Sequence, residues 1–554
     1  MIKKKGRENV KKLIPYFLAV VLAAGCMTFT ASAAYTDVPS NDVLAPEVEK
    51  ATQYGLMNGY GNGIFGFRDS MTRAQFVTVL GRMFAWEAAD EETVTAAMKT
   101  ADVPNVYLEA IRAAVRENVI DADRSFRPND AITRGEMAEM LVRAIGLKGA
   151  AEQMEKTADI PFSDVAEGKG YITVAYDIGM TKGTSATTFS PDATATRAQA
   201  AAMLLRIYEK LNREEEPWLH AFYAISSYSQ LDFAQKAEAV TLGWSRMTWD
   251  GDSPLLLTTA KNGNEYYIPS GYEDVADTLK DAGVKTHLGV YMDQGTAELL
   301  ADEDGRMQAV DAIIKEVSVT YKALKRNPYN GVTIDFEGLR AAQKDDFTVF
   351  LQLLSDQLRS IDQTLYVCVS PVLATGAYFD GYDYRAIGEL ADKVILMAYD
   401  YDATDLSAFI GTEYYKTAAP APIDQVYLAL RAIVDPETGV SDPKKVVLGC
   451  SSKSTAWKID EKGKLLSARP IYPGNETVYM RMQQEDAEQQ WSFAYGVPYL
   501  VYHTEKGENY FLWYENDRSI QKKADISKLF GVSSVSFWRL GIIPNAPDWN
   551  WNFT

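Results

Sequence analysis

The sequence predicts a multidomain chain: an all-α repeat unit followed by an α/β (β/α)8 barrel that carries an inserted α+β subdomain. Three observations predict it. A Thr-Arg-x-Gln/Glu motif recurs three times before residue 210. Eight short, nearly continuous apolar runs follow residue 218, several of them separated by amphipathic helical stretches. Apolar strands of that kind imply a parallel sheet buried on both faces. And 554 residues are too many for a single core.

In chain order, residues 1–33 come first. Lys3, Lys4, Lys5, Arg7, Lys11 and Lys12 form a basic start, an apolar stretch runs from Leu13 to about Phe29, and Ala31-Ser32-Ala33 is a small-x-small cleavage site. These are the three parts of a secretory signal peptide. An uncleaved membrane anchor and lipid attachment at Cys26 are the competing readings, both ranked below ordinary cleavage. The formal net charge is −19, and removing the leader's net +5 leaves −24. Such an acidic chain is a poor partner for nucleic acid or for an anionic membrane surface, and no membrane contact is expected after cleavage. Cys368 and Cys450, the two cysteines beyond the leader, read as lone buried thiols.

Residues 34–210 hold the repeats, at about 35–90, 98–147 and 160–210. "MTRAQFVTVLGRM" starts at Met71, "ITRGEMAEMLVRA" at Ile132 and "ATRAQAAAMLLRI" at Ala195, each after an aromatic turn. Thr72 with Gln75, Thr133 with Glu136 and Thr196 with Gln199 have the spacing of capping boxes. The boxes do not explain Arg73, Arg134 and Arg197. These sit in the first helical turn, where the macrodipole favours negative charge, and three such placements point to a carboxylate or phosphate ligand. The tandem resembles a triplet of S-layer homology domains. That resemblance implies a pseudo-threefold helical unit that binds pyruvylated secondary cell-wall polymer, with Arg73, Arg134 and Arg197 on the ligand's acidic groups. Gly59-Tyr60 and Gly183-Thr184 match the groove-lining segment, where the second repeat has Ile120-Asp121.

The charged run "EKLNREEEPW" marks a linker, residues 211–218. From residue 219 to 554 the strands read as 221–228, 240–247, 286–292, 331–338, 364–371, 393–401, 445–452 and 534–541. Residues 453–517 have a strand pattern of their own and read as an insertion on the active face.

"NGVTIDFEGL", residues 330–339, carries the chemistry. Side chains alternate along a strand, so Val332, Ile334 and Phe336 face the covering helices while Thr333, Asp335 and Glu337 face the barrel interior. Glu337 falls at the strand's C-terminal end, where barrel enzymes hold their catalytic groups. Buried carboxylates are costly unless partnered, and Arg246 and Arg539 are the basic residues near strand ends that could pair with them structurally. On the functional reading an ionised Asp335 raises the pKa of Glu337, which then serves as a general acid at neutral pH.

The run 330–337 resembles the catalytic strand of glycoside hydrolase family 18, whose pattern is DGxDxDxE; Asn330 and Thr333 depart from it. "LMAYDYD" and "VSFWRLG" resemble two further strands of that family, and residues 219–550 as a whole look like its spore-cortex and cell-wall N-acetylglucosaminidase subgroup. The resemblance implies that Glu337 is the proton donor, that Asp335 holds the substrate's acetamide N–H and that Tyr399 bonds the acetamide oxygen. Asp400 would contact the sugar, Met397 would pack beneath the site and Trp538 would floor the reacting subsite. The expected function is a secreted, wall-bound glycosidase that cuts β-1,4 links of N-acetylglucosamine in peptidoglycan or a chitin-like glycan. The expected mechanism is retaining and substrate-assisted. The alternatives are an inactive sugar binder, which Thr333 favours, or a structural S-layer-associated protein. No metal or organic cofactor is expected, because His220, His287 and His503 lack ligand spacing.

Overall fold

The computed structural model describes residues 35–87, 104–121, 126–157, 159–213, 217–251, 256–261, 263, 265–371 and 378–543. The expected leader, with Cys26, lies outside them, as do residues 100–103 and 124–125 of the second repeat's turns.

Each repeat contributes two helices: Ala45–Gln53 with Arg73–Met83, Leu108–Arg116 with Arg134–Ala144, and Lys169–Asp177 with Arg197–Leu211. Thr72, Thr133 and Thr196 close full capping boxes at the second helix of each pair. The residues just before these caps join in a closed ring. Met71 N–H donates to the Ala195 carbonyl (3.0 Å), Ala195 N–H to Ile132 (3.1 Å) and Ile132 N–H to Met71 (2.8 Å). Three equivalent bonds around one axis give the unit its pseudo-threefold symmetry. They also satisfy backbone groups that would otherwise be buried unpaired, since Met71, Ala195 and Ile132 are all at most 1 % exposed.

The strands, in chain order, are β1 (Leu219–Tyr223), β2 (Ala239–Thr248), β3 (Leu256–Thr258), β4 (Lys285–Met292), β5 (Gly331–Phe336), β6 (Thr364–Val369), β7 (Lys393–Met397), β8 (Val446–Ser451), β9 (Thr455–Ile459), β10 (Glu488–Ser492), β11 (Val497–His503), β12 (Asn509–Trp513) and β13 (Ser534–Trp538). β1, β2, β4, β5, β6, β7, β8 and β13 pair in parallel and close on themselves through β1–β2 and β1–β13, which makes an eight-stranded barrel. β3 adds one antiparallel strand at the end of β2. On the outward face of β5, Phe336 stacks on Phe350 at 5.2 Å and lies 6.0 Å from Phe347, both on the covering helix Lys344–Ser360.

Strand ends differ from the sequence expectation. β1 stops at Tyr223, and Ile225–Gln230 turns into a 3-10 helix because Ser227 receives the Ala224 N–H (2.9 Å) and donates to Leu540 O (2.5 Å). β7 stops at Met397, so Tyr399 and Asp400 lie beyond the strand, and Asp400 takes a left-handed φ of 64°. β5 stops at Phe336, although Glu337 N–H still bonds Met292 O at 2.8 Å.

Between β8 and β13 the strands β10-β11-β12-β9 form a separate antiparallel sheet with helix Asn475–Met482. Its core is built on Trp457, Phe511 and Trp513, packed with Leu406 and Tyr415 from the loop after β7. The repeat unit seats on the barrel. Asp177 accepts bonds from Tyr427 Oη (2.5 Å) and Arg431 Nε (2.8 Å), and Lys210 Nζ donates to Leu529 O (2.8 Å). No helix among the described residues is long and apolar enough to cross a membrane.

Candidate active site

The barrel floor is polar but uncharged. A hydrogen-bonded chain runs from Ser536 to His220 Nδ1 (2.7 Å), from His220 Nε2 to Thr241 (2.8 Å) and from Thr241 to Thr333 (2.6 Å). It continues from Thr333 to His287 Nδ1 (3.3 Å) and from His287 Nε2 to Thr364 (2.9 Å). Burial pushes His220 down to about 3, and His287 is likewise held well below its ordinary value. Both rings are therefore neutral at physiological pH and can accept and donate along the chain. Thr333 stands at the centre of this belt, directly below Asp335. Gly289 makes room for it, since a Cβ there would meet Thr241 Cγ2 at 2.8 Å.

Asp335 lies one pleat higher, paired in register with Tyr291 of β4. It is 7 % exposed, and its Oδ1 has no hydrogen-bond partner. Burial first and the Glu337 charge second push its carboxyl well above the usual range, opposed by a bond from the Cys368 thiol. Glu337 is raised as well, by burial and then by Asp400 and Asp293. Both acids are raised, with burial the first cause in each, and Asp335 is the more deeply buried. Neither arginine pairs with these acids: Arg246 bonds Asp293, and Arg539 bonds Ser226 Oγ at 2.8 Å.

Tyr399 is buried, and its phenol is held far up, first by desolvation and then by the charges of Asp335, Asp400 and Glu337 among others. Asp335 lies on β5, Glu337 just past its end and Tyr399 just past the end of β7, all on the C-terminal side of the barrel. Gly449 of β8 leaves space for the ring, because a Cβ would lie 3.1 Å from Tyr399 Cε1 and 2.6 Å from Leu396 O. Asp400 accepts from Lys453 Nζ (2.9 Å), which also holds buried Asp402 (2.9 Å). Met397 packs half-buried beside Phe222, Tyr366 and Cys368, and Trp538 meets Phe222 edge-on at 5.1 Å. A cavity of about 560 Å³ opens above, lined by Asp335, Thr333, Trp538, Tyr266 and Tyr291 among others. Glu337, Tyr399 and Asp400 are not among its lining residues. They lie just beyond the ends of β5 and β7.

Sequence reasoning missed Lys453, Asp402, Cys368 and the Tyr266–Tyr291 stack (5.0 Å). The Asp400-Tyr401-Asp402 spacing was a legible signal for a cation. Tyr291 meets Asp335 only through strand register.

The three repeat arginines are all buried rather than solvent-facing. Each reaches into a neighbouring repeat, but their partners differ. Arg134 Nε donates to Phe189 O (2.9 Å) with its guanidinium 4.8 Å from that ring. Arg197 donates to Phe65 O (3.0 Å) and Asn58 O (2.7 Å) and lies 4.4 Å from the Tyr60 ring. Arg73 instead grips Glu136 through Nε (3.1 Å) and Nη2 (2.5 Å).

Comparison with known proteins agrees with this architecture. The family model for glycosyl hydrolases family 18 matches residues 264–542, and the S-layer homology domain model matches 34–77, 99–138 and 161–201. The cortical fragment-lytic enzyme of Bacillus subtilis is 24 % identical over 250 residues, which cover 44 % of this chain and 54 % of that one. The middle cell wall protein of Brevibacillus brevis is 31 % identical over 152 residues, 25 % of this chain and 14 % of that protein. The matched region therefore spans only about half the length of the enzyme it resembles. The crystal structure of a chitinase from Chromobacterium violaceum aligns over 60 % of this chain and 96 % of its own, with 20 % identity and a TM-score of 0.48. With a family model covering half its length and an eight-stranded parallel barrel beneath it, this chain belongs to glycosyl hydrolases family 18 and carries three S-layer homology domains ahead of the barrel.

Proposed function

We propose that the protein is a wall-anchored glycosidase that hydrolyses β-1,4 links after N-acetylglucosamine, in peptidoglycan or a chitin-like glycan, with retention and substrate assistance. The observation that carries this reading is Asp335: a buried carboxyl with an unpartnered oxygen, in a cavity floored by neutral groups and coupled to Glu337 and Tyr399. That orphan oxygen is suited to accept the acetamide N–H of a bound sugar, and Tyr399 can donate to the acetamide oxygen. Glu337 gives its proton to the glycosidic oxygen as the bond to the anomeric carbon breaks, while the acetamide oxygen attacks that carbon from the other face. Water, losing its proton to Glu337, then opens the cyclic intermediate and restores the starting configuration. Trp538 offers an indole face to the sugar's C–H face, Met397 supports it from the interior, and Asp400 holds neighbouring hydroxyls.

In the same reading the S-layer homology unit binds pyruvylated secondary cell-wall polymer through Arg134 and Arg197, whose present partners are carbonyls and rings. Arg73 joins them only if Glu136 is displaced. Secretion through the N-terminal leader and attachment to the wall complete the proposal, and tethering raises the local substrate concentration.

The test incubates wild type and Glu337→Gln with purified peptidoglycan and with chitooligosaccharides. Reducing ends released by wild type and not by the variant support the enzyme. Binding by both with no release leaves a sugar-binding barrel, the reading that Thr333 favours.

A further inference from the structure

Three cations around the barrel mouth are matched by carboxylates. Arg246 pairs with Asp293, Lys453 with Asp400 and Asp402, and Arg340 with Asp380 at 3.6 Å. Arg539 breaks this pattern. It follows Trp538 at the end of β13 and lines the cavity that Asp335 lines. Its protein contacts are Ser226 Oγ (2.8 Å) and the Leu540 carbonyl (3.4 Å), both neutral and both made through Nη1. Its Nη2 and Nε have no partner among the described residues. Lys261, exposed on the same cavity, meets the Tyr267 ring at 5.5 Å and no carboxylate among the described residues. Glu265 also lines the cavity, yet no described ion pair joins it to either cation. In a chain of net charge −19, two cations without carboxylate partners among the described residues, on the cavity that Asp335 lines, are suited to an anion on the substrate.

Resting on the hydrolase reading above, we infer that Arg539, with Lys261 in support, reads a carboxylate carried by a sugar adjoining the reacting N-acetylglucosamine. The substrate class is then an anionic amino-sugar glycan and not neutral chitin. Peptidoglycan offers that chemistry from two sources. One is the lactyl carboxylate of muramic acid, which is free only where the stem peptide has been removed. The other is a carboxylate of the stem peptide itself. If the lactyl group is the one read, a peptide-removing amidase must act before this protein.

The experiment measures kcat/KM on alternating N-acetylmuramic acid–N-acetylglucosamine oligomers in three forms: peptide-free acid, its methyl ester, and peptide-bearing. Wild type should prefer the free acid over the ester by about 10- to 100-fold, the scale of a hydrogen bond to a charged group. Arg539→Gln should bring that ratio near one, and Arg539→Lys should restore part of it. If the Arg539-dependent preference appears only on the peptide-bearing oligomer, the stem carboxylate is the one recognised. A wild-type ratio near one with no such preference, or a ratio unchanged in Arg539→Gln, overturns the inference and leaves the hydrolase reading standing. No cleavage of any of the three forms by wild type overturns the inference, and the hydrolase reading falls with it only if chitooligosaccharides are left intact as well.

Discussion

Asp335 lies on β5 and Glu337 one residue past its end, and their surroundings separate them. Asp335 faces a floor of hydroxyls and neutral imidazoles, with Cys368 as its donor, whereas Glu337 stands at the strand end near Asp400 and Asp293. General acid catalysis is worth about 10²- to 10⁴-fold, so Glu337→Gln should lower kcat by that factor while the circular dichroism spectrum stays unchanged. A second prediction concerns pH. Burial lifts the folded-state pKa of Asp335 above its ordinary 3.8, so above that pH the native protein binds more protons than the unfolded chain. Stability then falls as pH rises through the raised value, and the contribution is intact only at lower pH. Asp335→Asn removes the ionisation, and its gain in Tm over wild type should be larger at pH 8 than at pH 5 by scanning calorimetry. An equal shift at both pH values would place the titration elsewhere.

At the scale of single elements, β8 and the helix Asp517–Leu529 illustrate two different constraints. Gly449 on β8 is needed for space. Gly449→Ala should cost about 1–3 kcal/mol in chemical denaturation through overpacking against the Leu396 carbonyl, and should lower activity as well, because the Tyr399 ring is the next neighbour crowded. In the helix, Lys523 bonds Glu515 at 2.8 and 2.6 Å with both side chains at most 2 % exposed, and Ser519 adds a further bond to Glu515. Removing one partner leaves the other buried and uncompensated. Lys523→Met should therefore destabilise by about 3–5 kcal/mol, and adding Glu515→Leu should recover most of the loss. If the double variant is no better than the single, the charge is not the cause.

Across the whole molecule, the repeat unit and the barrel share a seam built on Asp177, Tyr427, Arg431 and Lys210. Such a seam fixes the repeat unit against one side of the barrel instead of leaving it on a loose tether. Asp177→Ala removes the acceptor shared by Tyr427 and Arg431 and should lower the calorimetric Tm, by the equivalent of about 1–3 kcal/mol. An unchanged Tm would mean that the two units are energetically independent.

The sequence by itself determined the eight parallel strands, the three capped helices and the strand that carries Asp335 and Glu337. Each follows from local periodicity: apolar runs buried on both faces, Thr with Gln or Glu three residues on, and side chains alternating on a pleat. The tertiary structure alone decided where the strands end, which acids are buried and which arginines are occupied. Arg73 meets Glu136 sixty-three positions away, and Thr333 meets His287 forty-six positions away. Charge pairing and burial are set by distances in space, and those distances are fixed by barrel register and threefold closure, which local patterning does not encode.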